Sequence, residues 1–578
     1  MTQNDPVPTL QRFAVIIMST MLTLGLFVLT MLDYAVSADN SVIIAVCLFL
    51  LALLLILVMR LLAQTRRKAE NLQVATVSPV SSSYASYLLL ALTLLAALLR
   101  LYRLGAESFW YNETWTALFS SRPAGAVLRG VNPLPHLVAH LSLWVGRSEF
   151  VLRLGPALAG VLLIPATYVL GRTLYRRNEG LIAAGILTVS AYAIYHSQEL
   201  RFYSWQMLFS TLTLAFLLRG LASGRWLDWA GFVVTTVFNL YSHPFGLFVL
   251  ASEGVYVFGA AVADSLAAHK GLPVGDQRRY VAVVRRLAAP AVCALFALIA
   301  FGPGWGHLSS LTSSSKWSVE SELAAVGMQR SSWLSTPIAT WTYELPSSML
   351  AANHPAYLLP IFALFLVGLL SSSRRRVALV LLWFLIPPVV LFFVRLRFFD
   401  RYLSYFLPLF MLVVAHGINC VASMLKGRRQ RLIAVAFLTA LVASPSLVQL
   451  PDFYQGKHKA QWREAISFIE ANHQPGDIVL VTANSIVGAP EQPIDWYRTL
   501  PAAELPWQYF PEEGALTEPE QLSGLSPVTQ GYRRVWFLLP SPLEVDEISE
   551  SLRGSFQLVL EQDFVHLKVL LYQLVSSG

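Results

Sequence analysis

Residues 180–209 read GLIAAGILTVSAYAIYHSQELRFYSWQMLF. One apolar run ends near His196 and a second starts at Tyr203 and continues to residue 220. Each is close to the length that crosses a bilayer. The turn between them, Ser197-Gln198-Glu199-Leu200-Arg201-Phe202, carries an amide, a carboxylate and a guanidinium, and the phenol of Tyr203 follows. A helical hairpin needs only a turn here. Glu199 and Arg201 either pair with each other to satisfy that turn or belong to a site at the membrane edge.

The same pattern recurs on both sides. Residues 13–32 (FAVIIMSTMLTLGLFVLTML) and 42–59 (VIIAVCLFLLALLLILVM) are runs of the same kind. About thirteen spanning segments are expected, near 13–33, 41–60, 86–103, 150–171, 180–196, 203–220, 227–243, 244–265, 287–302, 356–372, 377–394, 402–421 and 431–449. Only Pro244 and Gly246 break the pair 227–265. The 578 residues are 55% hydrophobic and 13% charged, with a mean hydropathy of +0.56. Soluble proteins carry about a quarter charged residues, so a soluble enzyme, a disordered protein and a disulfide scaffold are all excluded. Cys47, Cys293 and Cys420 sit far apart inside apolar runs and match no metal or disulfide pattern.

Charge gives the expected orientation. Loops 61–85, 172–179, 219–226, 266–286, 373–376 and 426–431 hold 20 Lys and Arg in 72 residues. Loops 34–40, 104–149, 197–202, 303–355 and 395–401 hold 9 in 119. The positive-inside rule puts the basic set and the N-terminus in the cytoplasm. An odd number of spans then leaves the C-terminal segment outside a plasma (inner) membrane. This bias accounts for the net charge of +8 without a nucleic-acid partner. Val36-Ser37-Ala38 resembles a cleavage site, but the length of the preceding apolar stretch favours a retained anchor.

Three regions are expected: a two-helix membrane segment at 1–85, a transmembrane core at 86–450, and a small extracytoplasmic α/β domain at 451–578. In the last, 461–473 has the pattern of an amphipathic helix, and 477–482, 535–539 and 566–574 have that of strands. Loop 303–355, rich in Ser and Trp, is expected to fold over the membrane surface. No internal repeat is evident.

Polar groups gather at the expected outer ends of the spans. The first cluster, Glu107-Ser108-Phe109-Trp110-Tyr111-Asn112-Glu113-Thr114-Trp115, places carboxylates among aromatics. Partial desolvation there raises a carboxyl pKa toward the range of a general base, and the plain alternative is an interfacial aromatic belt. The second is the 197–203 turn. The third, Arg395-Leu396-Arg397-Phe398-Phe399-Asp400-Arg401-Tyr402, sets three arginines against the charge bias. Guanidinium groups grip phosphate in a forked geometry, and ordinary contact with anionic lipid is the alternative. His243 ends a span. Glu253 lies within an apolar run, where a carboxylate marks a functional hypothesis or a neutral group bonded to a neighbouring helix. His136 and His140 have the i, i+4 spacing of zinc ligands but lack an HExxH pattern, and no metal site is assigned.

Taken together, the stretches ESFWYNETWTALF, NPLPHLVAHLSLWVGRSEFVLRLGPALAGVLLIPATYVLGRTLY, GLIAAGILTVSAYAIYHSQELRFYSWQMLF and LYSHPFG resemble bacterial glycosyltransferase family 39-like proteins. These carry an RgtA/B/C/D-like domain and are related to protein O-mannosyltransferases and to the aminoarabinose transferase of lipid A. The resemblance covers residues 86–260 and extends more weakly, through RYLSYFLPLF, to about 420. It implies a mainly α, polytopic membrane GT-C fold. It also implies transfer of a sugar from a polyprenyl-phosphate donor to a glycan, lipid or protein acceptor on the outer face, with no cofactor. An acidic pair is implied in the first outer loop, and this chain has Asn112-Glu113 where the family shows Asp-Glu. In the mannosyltransferase relatives the first acid is the proposed base, a role Asn112 cannot fill. Glu113 is therefore the expected catalytic carboxylate, with Glu199 second. Arg201, Arg397 and Arg401 are expected to stabilise the leaving lipid phosphate, with Tyr203, His243 and Tyr402 lining the substrate site. Direct displacement inverts the anomeric centre. A transporter or flippase is the main competing reading, although transporters show repeats and midplane sites. A non-catalytic scaffold is the third.

Overall fold

The computed structural model describes residues 82–130, 132–268, 277–302, 349–350, 355–394, 400–481, 491–510, 525–539, 552 and 556–575. The expected spans 13–33 and 41–60, nearly all of loop 303–355 and Arg397 lie outside them. The other eleven expected spans all fall on helices. These are α1 (Ser82–Leu101), α5 (Glu149–Leu174), α6 with α7 (Arg177–Val189, Ala191–Ser197), α8 (Tyr203–Ser223), α9 (Trp226–Ser242), α10 (Gly246–Ala268), α11 (Gln277–Ala300), α12 (Pro355–Leu370), α13 (Arg374–Val394), α14 (Phe406–Ser423) and α15 (Arg428–Gln455). Among the described residues, six helices are long and apolar enough to cross a membrane, or seven if the bent pair α6–α7 is one span.

Burial separates the centre of the bundle from its rim. The apolar windows of α5, α8 and α14 are 67%, 61% and 72% buried, against 17% for α1 and 22% for α15. The outer pair therefore presents leucines and phenylalanines to the surroundings, as a lipid-facing helix does. Small residues set the central spacing. Gly368 on α12 lies against the Val413 carbonyl of α14, and Gly417 on α14 lies against the Leu364 carbonyl of α12, so a Cβ at either would overlap the facing backbone.

Two local features shape the end of the bundle that carries the 104–149 and 197–202 segments. Helices α6 and α7 are bent by 64° at Ser190, whose hydroxyl accepts the Ala193 N–H and so caps α7. Between α1 and α5 the chain forms three short helices, α2 (Tyr111–Ser120), α3 (Ala124–Leu128) and α4 (Pro133–Ser142). Helix α4 starts after Asn132 in the left-handed region (φ 57°) with Pro133 in its first turn.

Beyond α15 come α16 (Trp462–Asn472), β1 (Asp477–Val481), α17 (Glu491–Tyr497), β2 (Trp507–Tyr509), α18 (Leu525–Thr529), β3 (Arg534–Leu539), β4 (Phe556–Phe564) and β5 (Leu567–Leu574). The strands form one sheet in the order β2-β1-β3-β5-β4, with β1 parallel to β2 and β3, and β5 antiparallel to β3 and β4. Alternation along β1 and β3 splits the core. Val479, Val481, Trp536 and Leu538 face Trp462 and Ile466, while Ile478, Leu480, Val535 and Phe537 pack with Leu570 and Tyr572.

Candidate active site

Helix α2 carries Glu113 in its first turn, and the side chain folds back to accept the Trp110 N–H (3.4 Å). Arg153, from the first turns of α5, meets the carboxylate in a fork: Nε to Oε1 and Nη2 to Oε2, both 2.8 Å. Its remaining N–H groups bond the carbonyls of Leu104, Glu107 and Ser108, so all five donors of the guanidinium are engaged. The Leu200 N–H donates to Glu113 Oε1 (2.7 Å) and Lys459 Nζ to Oε2 (2.9 Å). Glu113 is fully buried. Burial alone opposes its charge, but Arg153, Lys459 and these hydrogen bonds outweigh that penalty and hold its pKa at about 2.

Lys459 comes from the chain after α15, and its neighbours bind the same loop. The Ser108 hydroxyl donates to the Ala460 carbonyl (2.8 Å), and Glu107 accepts the Lys459 N–H (3.2 Å). On α17, the Tyr497 hydroxyl accepts the Phe109 N–H (2.6 Å) and donates to Glu149 (2.8 Å), which also pairs with Arg463 (2.8 Å). The small sheet domain is thus clamped to the first loop at several points.

The 197–203 turn lies against α2. Arg201 Nη1 donates to the Asn112 carbonyl (3.3 Å) and the Thr116 hydroxyl (3.1 Å), while its Nε is buried without a partner. Glu199 does not pair with Arg201. It accepts from His196 Nδ1 at 2.7 Å, and both side chains are buried. Burial works against the charge on Glu199, yet His196 and Lys459 bring its pKa below the usual value.

The third cluster joins them through aromatic contacts. The Arg401 guanidinium lies 5.9 Å from the Trp110 ring. Tyr402 is 5.0 Å from His243 and 5.7 Å from Phe202, and Phe202 stacks on His243 at 4.1 Å. Tyr203 packs on His196 (4.5 Å). The Nδ1 of His243 accepts the Phe245 N–H (3.2 Å). The structure therefore brings together Asn112, Glu113, Glu199, Arg201, Tyr203, His243, Arg401 and Tyr402. Glu253 is separate, deeper along α10. His136 and His140 both hydrogen-bond Ser120 through Nδ1, one at its hydroxyl and one at its carbonyl. Among the described residues no group of three or more His, Cys, Asp or Glu is placed to hold a metal ion.

Sequence reasoning missed Arg153, His196, Lys459 and Tyr497. Arg153 did leave a signal, a lone charge in an apolar run. Lys459 left none.

Residues 131–269 match the family model described as dolichyl-phosphate-mannose-protein mannosyltransferase. The fold is similar to the crystal structure of ArnT from Cupriavidus metallidurans bound to undecaprenyl phosphate, with a TM-score of 0.52 and 12% identity over 86% of this chain and 99% of that one. The chain has the GT-C fold. Its multiple apolar helices make it a multi-pass membrane protein. The apo structure of the same ArnT matches at 0.50, over 85% of this GT-C chain and 98% of that one, at 12% identity. The apo oligosaccharyltransferase of Archaeoglobus fulgidus gives 0.47 and 12%, over 79% and 70%. No curated protein matches in sequence.

Proposed function

We propose that this protein is a membrane glycosyltransferase that moves a sugar from a polyprenyl-phosphate donor to an acceptor hydroxyl at the outer membrane face. The observation that carries the reading is the meeting of Arg201 and Arg401 with the Glu199–His196 pair beside α2. The ArnT structure of the same fold holds undecaprenyl phosphate, which supports a lipid-phosphate donor.

In this reading Glu113 is an anchor and not the base. Two arginine nitrogens, one ammonium and two main-chain N–H groups already occupy its oxygens. Proton removal falls to the Glu199–His196 pair. Glu199 fixes the ring through Nδ1, which leaves Nε2 as the nitrogen that takes the acceptor proton. The acceptor oxygen bonds the anomeric carbon as the bond from that carbon to the phosphate oxygen breaks. The electron pair leaves on the lipid phosphate, where Arg201 and Arg401 stabilise it. Single displacement inverts the anomeric centre. Asn112 supplies its carbonyl to Arg201 and takes no proton.

The test is sugar transfer by the full-length protein in lipid nanodiscs. E199Q and H196N should each lower kcat by roughly 10²–10⁴-fold while the protein stays folded, and R201Q and R401Q should weaken donor binding as well. Full activity in both E199Q and H196N would remove this base assignment. Movement of a lipid-linked sugar across sealed vesicles without any covalent transfer would favour a flippase instead.

A further inference from the structure

A second set of polar side chains lies deeper in the bundle, and the outer site does not use it. Tyr203, Gln206, Ser210 and Thr213 recur at three- and four-residue spacing on α8, so they share one face of that helix. Ser210 donates to Asn239 (3.0 Å) and Thr213 shares a hydrogen bond with Thr236 (2.7 Å), both on α9. Gln206 is fully buried, and neither atom of its amide has a partner. Glu253 on α10 is 1% exposed beside the Thr213 hydroxyl, and neither of its oxygens has a partner in hydrogen-bonding geometry.

Helix α10 meets α13 where Ser252 donates to the Leu382 carbonyl (3.3 Å). The next residue on α13, Trp383, has a buried Nε1–H without an acceptor. Its ring meets that of Tyr405 edge-on at 6.1 Å. The hydroxyls of Tyr405 and Ser404 are buried and unpartnered too. Met207, Val249, Trp383 and Tyr405 all belong to the apolar core that runs through the bundle, so the segments that carry these groups pack into the same core.

Unmade hydrogen bonds in an apolar interior destabilise the fold. Five side chains with that defect, on segments packed into one core, describe a surface completed by a ligand. An alkyl chain offers them nothing to bond. A phosphate would face the Glu253 carboxylate with no Lys or Arg in the set. A bare cation has no use for the Trp383 N–H, which only donates. A neutral pyranose fits, because its hydroxyls both donate and accept and its C–H faces pack on aromatic rings.

We propose that Gln206, Glu253, Trp383, Ser404 and Tyr405 bind the uncharged sugar head group of an amphiphile. At a rise of 1.5 Å per residue the α8 stripe runs about 15 Å from Tyr203, in the site beside α2, to Thr213 beside Glu253. Naming that amphiphile as the acceptor rests on the glycosyl-transfer reading, whereas its binding is measured without turnover.

The experiment titrates full-length protein in nanodiscs with octyl glucoside at sub-solubilising concentration. An octyl oligoethylene-glycol ether of the same tail serves as the sugar-free control. The signal is the tryptophan emission lost in W383F. The glucoside should change that emission and the ether should not. Q206L and E253L should weaken glucoside binding about tenfold without lowering the thermal midpoint, because each removes a buried polar group that lacks a partner. Binding of a short polyprenyl phosphate should stay as in wild type. Equal responses to glucoside and ether, an equal response to sodium ions alone, or undiminished binding in Q206L would overturn the proposal. If E253L does not fold, Q206L carries the test. Glucoside binding without any sugar transfer would count against the glycosyl-transfer reading and leave this site standing.

Discussion

Glu113 and Arg153 show how far a residue's type can differ from its use. An acid at a membrane edge reads as a base, but here two cations and two main-chain N–H groups surround it. E113Q leaves Arg153 and Lys459 buried without their counter-charge, which costs about 3–5 kcal/mol and should appear as a large drop in thermal midpoint. The pH dependence has a definite sign. The carboxyl pKa is depressed from 4.5 to about 2, so its contribution is complete above pH 4.5 and is lost as pH falls from there toward 2. The shift corresponds to about 3 kcal/mol. Acid unfolding followed by tryptophan emission should lose that component in E113Q. Glu113 itself was legible in the sequence, but its role was not, because its partners are 40, 87 and 346 positions away.

At the scale of elements, apolar run length was enough to find the helices, since bilayer thickness leaves one solution for each run. The bend at Ser190 was not legible, because hydropathy is unchanged across it. Yet that 64° bend determines how the chain reaches Glu199. The i, i+4 spacing of His136 and His140 did mark the helix α4, whereas the short helices α2 and α3 and strands β2 and β4 were missed as well. Their order comes from packing against other elements and not from a strong period of their own. The spacing of α12 and α14 rests on glycines at the point of closest approach. G417A puts a methyl into the Leu364 carbonyl and should cost about 1–3 kcal/mol through forced separation. The same substitution at Gly254, which has nothing within 4 Å, should be neutral or slightly stabilising. Thermal midpoints of the two variants compare the effects directly.

Across the whole molecule, the sheet domain and the bundle share one ionic centre. Lys459 follows α15, and its ammonium ends on the Glu113 carboxylate in the segment between α1 and α5. Burial and the nearby Arg153 lower its pKa, while Glu113 and Glu199 pull it back up. Lys459 therefore links the anchor carboxylate to the pair assigned to proton transfer. If the link is energetic and not merely a contact, K459M and E113Q cannot be independent. Each single change leaves an opposite charge stranded, and the double change strands less. The double mutant should thus be more stable than the sum of the single effects predicts, by about 0.5–3 kcal/mol. A double-mutant cycle on urea unfolding in nanodiscs measures this, and strict additivity would show that the domain is attached without being coupled. K459M should also slow sugar transfer although Lys459 meets no reacting atom, because the turn carrying Glu199 loses both the ammonium near its carboxylate and the bond from Lys459 to the Gln198 carbonyl. Y497F removes a hydroxyl of the same clamp at a point remote from Glu199. It should lower stability while changing kcat less, which separates loss of docking from loss of the charge beside the reacting pair.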